Sequence, residues 1–123
     1  MIKTIIYIGV GGAIGSVLRY LIAIFINKYW SSSFPFATFI INILGCFLIG
    51  FFIGFLEKHN LTDVNLKSFL IIGFCGGFTT FSAFSQENLS LFQNQNIISG
   101  SIYLCLSAFL GISAVWFGLL LAK

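Results

Sequence analysis

The residues able to do chemistry in this chain are few and mostly neutral. They are Thr38, Asn42, Thr79, Thr80, Ser82, Tyr103 and Ser107, with one acid, Glu87, set among apolar residues. Catalysis needs more than this. No His/Cys/Asp/Glu cluster has metal-ligand spacing, no G-x-S-x-G elbow or phosphate loop occurs, and Glu87 has no partner acid in the apolar segments. Hydroxyls and an amide can, however, donate hydrogen bonds. Phe81 and Phe84 lie three apart and add ring edges that carry partial positive charge. A helix N-terminus also favours negative charge. Such a set suits a small anion stripped of its water.

These residues gather around Gly73-Phe74-Cys75-Gly76-Gly77-Phe78-Thr79-Thr80-Phe81-Ser82-Ala83-Phe84-Ser85-Gln86-Glu87. The stretch lies in an apolar segment long enough to cross a bilayer, yet it holds what normally breaks a helix. Gly76-Gly77 can act as a helix stop, because glycine enters the left-handed conformation without steric cost. Thr79 or Thr80 can then cap a new helix that opens with Phe81. In hydrocarbon, freed backbone groups survive only when buried in protein or lining a cavity. A broken helix at membrane depth is therefore a candidate functional site.

Composition places the elements that must hold this stretch. Of 123 residues 59% are hydrophobic and 7% charged, against about 25% charged in a soluble domain. No charge falls between Lys28 and Glu57, between Lys67 and Glu87, or between Glu87 and Lys123, and only Arg19 interrupts the run from Lys3 to Lys28. A spanning helix takes roughly 20 residues, so the chain is expected to be an all-α integral membrane protein of four helices and short loops. The expected spans cover about residues 4–26, 35–56, 67–92 with a break near 76–80, and 97–122. The net charge of +3 is too small and scattered for nucleic-acid binding. A secretory signal at Lys3 is disfavoured by Arg19 and by the lack of a small-residue cleavage site. Cys46, Cys75 and Cys105 sit singly in three segments and read as reduced, packed thiols.

Along the first span, Gly11 and Gly15 form a small-xxx-small face with Gly12 and Ser16 beside it, which admits a close neighbour helix. Arg19 must pair, snorkel toward the helix end near Lys28, or face an aqueous vestibule that draws anions. Tyr29 and Trp30 are interfacial aromatics, and Pro35 suits a helix start. On the second span Thr38, Asn42, Cys46 and Gly50 share one face. An asparagine there is costly unless bonded, and residue statistics favour interhelical glue over pore lining. His59, alone in the 57–66 loop, reads as solvated. On the fourth span Tyr103, Ser107, Gly111, Ala114 and Gly118 make a face that is polar near one end and small thereafter, suited to close packing, to a polar track, or to both. Lys3, Lys58, Lys67 and Lys123 share one side of the membrane and Lys28 lies on the other, so the positive-inside rule puts both termini in the cytoplasm.

Three segments carry a family resemblance: Gly-Gly-Ala-Ile-Gly-Ser-Val-Leu-Arg-Tyr at 11–20, Thr38 to Asn42 with Gly45, and the 73–87 stretch with its GG-x-TTFS-x-F-x-x-E string. In order and spacing they resemble the signature segments of the Fluc, or CrcB-type, fluoride ion channels. The resemblance implies a dual-topology antiparallel homodimer with two pores at its interface, in the inner membrane of a prokaryote, exporting fluoride to confer fluoride resistance. It implies Asn42 as the pore asparagine and Phe81 and Phe84 as lining rings, with Thr38, Ser82, Tyr103 and Ser107 in polar stretches nearby. Glu87 would stand near a pore end and Arg19 near a vestibule. A structural Na+ would sit at the break on the main-chain carbonyls of Gly76 and Thr79 from both subunits. Gly111 stands where relatives often carry a hydroxyl, and the lysine asymmetry is larger than suits dual insertion, which leaves pairing with a paralogue open.

Two other readings compete. A small proton-coupled multidrug exporter would need a membrane acid that binds cation and proton in turn; Glu87 is the only candidate and lacks an aromatic cage. A non-transporting assembly subunit would use the glycine faces alone and leave the threonine-rich break unexplained.

Overall fold

The computed structural model describes all 123 residues, and all its regular elements are helices. Four segments are long and apolar enough to cross a membrane: α1 (Ile2–Tyr29), α2 (Phe36–Lys58), a composite third span (Val64–Gln93) and a last helix (Ile97–Ala122). The third span comprises α3 (Val64–Lys67), a π-helical stretch (Ser68–Cys75), α4 (Gly76–Phe78) and α5 (Phe81–Gln93), and the last helix is α6. The protein is a multi-pass membrane protein, with large side chains such as Ile14, Phe109 and Trp116 on its outside.

Glycine decides how the helices meet. A Cβ on Gly11 would lie 2.5 Å from the Phe69 carbonyl oxygen, and one on Gly73 would lie 2.7 Å from that of Ile8. Gly15 abuts the backbone of Phe74 and Phe78, so α1 lies directly on the third span through its small-residue face. Gly50 and Gly118 do the same for α2 and α6, against the backbone of Val115 and of Phe47. Gly54 completes that seam against Leu119 and Ala122. The stripe on α6 is therefore close packing along Gly118, while Ser107 near its other end stays free of hydrogen bonds to protein groups and borders a cleft.

The ends are set by local chemistry. Asp63 caps α3 by accepting from Asn65 N–H at 3.1 Å. α2 and α5 each close through a residue at positive φ, Asn60 and Gln95, with bonds from Leu61 N–H to Leu56 and from Asn96 N–H to Leu91.

The break departs from the sequence expectation in one respect. Gly76 is right-handed helical and no glycine has positive φ, so Gly76-Gly77 do not stop the helix. The chain stays helical through Phe78 and is extended only at Thr79 and Thr80. The second glycine is there for proximity, since a Cβ on Gly77 would lie 2.6 Å from the Gly12 carbonyl oxygen. Nor does the 68–75 stretch follow α-helical period; it is wound as a π-helix, a form frequent beside functional sites.

Candidate functional site

Two extended residues in the middle of a span leave backbone groups without helical partners. Where those bonds go defines the site. Thr80 caps α5 by accepting from Ala83 N–H at 3.2 Å. Asn42 clamps the break from α2: its Oδ1 accepts from Thr80 N–H at 2.9 Å, and its Nδ2 donates to the Thr80 carbonyl at 3.0 Å. One face of α2 thus replaces both bonds that a continuous helix would have given Thr80. From the other side Arg19 Nε donates to the Gly77 carbonyl at 3.1 Å, with Ser16 Oγ at 3.5 Å. Arg19 therefore does not snorkel toward Lys28; it turns inward and caps α4 with a cation, as a helix C-terminus favours. Thr79 Oγ1 donates back to Cys75 at 2.8 Å.

Two carbonyls at the break, those of Gly76 and Thr79, have lost their α-helical donors. Those partners, Thr80 N–H and Ala83 N–H, are diverted to Asn42 and to Thr80 Oγ1. Gly76 and Thr79 also border the cleft described next. Carbonyl oxygens are the donor chemistry that a hard monovalent cation accepts. The residues present fit such an ion.

The cleft has a volume of about 490 Å³ and is bordered by Asn42, Thr79, Thr80, Phe81, Phe84 and Ser107, among others. Asn42 spends one Nδ2 hydrogen on Thr80 and keeps the second. The rings of Phe81 and Phe84 stand 5.8 Å apart at 44°. Phe81 is 79% exposed, as large an apolar exposure as any beyond the chain end. The other predicted residues form a separate cluster. Glu87 accepts from Thr38 Oγ1 at 2.8 Å and from Tyr103 Oη at 2.9 Å, and Phe84 joins the two groups by packing edge-on against the Tyr103 ring at 4.9 Å.

The predicted residues are thus brought together in part. Asn42, Phe81, Phe84, Ser107, Gly76 and Thr79 share the cleft; Thr38, Glu87 and Tyr103 make their own triad; Ser82 is exposed and bonded to Thr80 Oγ1 at 3.2 Å. Arg19 stands behind the break. The hydroxyls of Thr38, Tyr103 and Thr79 all donate to protein acceptors, so the donors still available to the cleft are Asn42, Ser107 and, when Ser82 donates in their shared bond, Thr80. Sequence reasoning missed the Arg19–Gly77 and Glu87–Tyr103 bonds. Their only trace is that each places a lone membrane-depth ionisable group opposite an unexplained polar one.

The chain is similar to proteins of a known family over nearly its whole length. The family model described as "CrcB-like protein, Camphor Resistance (CrcB)" matches residues 6–119. The chain is 57% identical over 121 residues to a protein named "Fluoride-specific ion channel FluC" from Flavobacterium psychrophilum, covering 98% of each chain. Proteins of the same name from Azobacteroides pseudotrichonymphae and Campylobacter jejuni are 45% and 40% identical over 123 residues, covering 100% of this chain and 98% and 100% of theirs.

Proposed function

This chain belongs to the CrcB-like family, and we propose on that footing that it is a fluoride-specific ion channel, a passive conductor and not an enzyme. The observation that carries the reading is the Asn42 clamp on Thr80, which holds a span open at mid-membrane beside two phenylalanine rings. Fluoride is small and strongly hydrated, so a selective path must offer donors and electropositive edges in place of water. The spare Asn42 Nδ2 hydrogen, the Ser107 hydroxyl and the edges of Phe81 and Phe84 are such groups. Beyond Phe84 the Tyr103–Glu87–Thr38 cluster stands at the path's end, its carboxylate partly neutralised by two donors.

One chain leaves the cleft open on one side with Phe81 at its rim. A second copy, inserted antiparallel, closes it and completes two pores per homodimer; a paralogue could take that place. The carbonyls of Gly76 and Thr79 would hold a Na+ ion, together with those of the second copy, and the ion would supply only positive charge and rigidity. The setting is the inner membrane of a prokaryote. Hydrogen fluoride enters from acid surroundings and dissociates inside, and the resting potential, worth about 2.3 kcal/mol per charge per 100 mV, drives the anion out. An exporter built on Glu87 finds no support, because that carboxylate does not border the cleft and is tied to Thr38 and Tyr103 instead.

The test is fluoride-electrode efflux from liposomes holding purified protein. Fluoride leaves while chloride stays; no flux, or equal chloride flux, removes the proposal. Replacing sodium by N-methylglucamine on both sides should depress the flux, and an unchanged rate would remove the cation from it.

A further inference from the structure

Two cysteines that the conduction reading leaves unused face the same cleft. Asn42 on α2 ties Thr80, and one turn further along α2 lies Cys46; Cys75 lies one turn before Thr79, whose methyl group packs against Gly45. This register sets Cys46 opposite Cys75. Both border the 490 Å³ cleft and both are free thiols. The α6 residue facing Cys46 is Gly111, where an added Cβ would lie 3.4 Å from Cys46 Sγ, and Ser107 of α6 borders the same cleft. No imidazole or carboxylate joins them to make a site of three ligands.

We propose that Cys46 and Cys75 form a two-thiolate site for a soft d10 cation of the silver(I), copper(I) or mercury(II) class, and that filling it blocks the cleft. Two-coordinate sulfur ligation suits these ions and excludes the hard cations that carbonyl oxygens hold. On binding, each thiol gives its proton to water and forms one sulfur–metal bond; no electron is transferred. A monovalent ion between two thiolates leaves one net negative charge beside Asn42, where an anion must pass, so the block is electrostatic as well as steric. The blocking half of this inference rests on the channel reading; the binding half does not.

The probe is silver nitrate in chloride-free buffer. Bound silver is measured on purified protein by elemental mass spectrometry after dialysis, and fluoride efflux is followed in parallel. One silver per chain and loss of efflux are expected, both reversed by dithiothreitol. Cys105→Ser, on the exposed outer side of α6, should behave as wild type, while Cys46→Ser and Cys75→Ser should each lose the bound ion and the block. If Cys75→Ser fails to fold, Cys46→Ser decides alone. Silver retained by Cys46→Ser, or bound only through Cys105, overturns the site while wild-type fluoride flux stands. Wild-type protein that binds silver through this pair but passes no fluoride sinks the channel reading and the block, and keeps the site.

Discussion

Replacing Asn42 by leucine keeps the side-chain volume and removes the clamp on Thr80. The two bonds lost are those at 2.9 and 3.0 Å. A fully buried backbone group left without a partner costs about 1–3 kcal/mol; Thr80 is half-buried beside the cleft, so its two orphans together cost about 1–3 kcal/mol. The chain has one escape. Thr80 N–H can return to the Gly76 carbonyl, its helical partner, and the third span then closes into a continuous helix. That relaxation limits the loss of stability and abolishes the cleft at the same time. Two measurements separate the terms: thermal unfolding in detergent followed by the fluorescence of Trp30 and Trp116, and hydrogen exchange at the Thr80 amide. Asn42→Leu should melt earlier or, if the helix closes, hold its melting point; in both cases fluoride efflux is lost. Wild-type efflux together with wild-type Thr80 protection would refute the reasoning, because the break would then be held by something other than Asn42.

Gly77→Ala places a Cβ 2.6 Å from backbone oxygen of Gly12 and must push α1 away, at a cost of about 1–3 kcal/mol, whereas Gly76→Ala meets nothing nearer than 3.9 Å and should fold normally. Equal melting points for the two variants would contradict the packing described for α1. Phe81→Ile and Phe84→Ile should each cut fluoride efflux, and unchanged efflux in both would make the rings mere packing. Asn88 has its Nδ2 buried with no partner, so Asn88→Leu should raise the melting point by removing an orphan worth about 1–3 kcal/mol; a lower melting point would mean the amide is bonded in the assembled protein.

Much of this protein is legible in one dimension because its signals are local. Gaps between charges mark four spans, glycine spacing marks the faces that touch, and a threonine ahead of Phe81 marks a helix start that Thr80 indeed caps. What the residues nearby could not decide is how the interruption is held. Gly76-Gly77 have the composition of a stop, yet both stay helical, because Gly77 packs against Gly12 on α1, a contact made in space and invisible in spacing. The groups that hold Thr80, Gly77 and Glu87 come from 38, 58, and 49 and 16 residues away. A lone asparagine, arginine or glutamate in a membrane helix announces that some partner must exist, since leaving it bare in hydrocarbon is prohibitive. Only the packing of the four spans says which partner it is, and so which donors remain free to meet an ion.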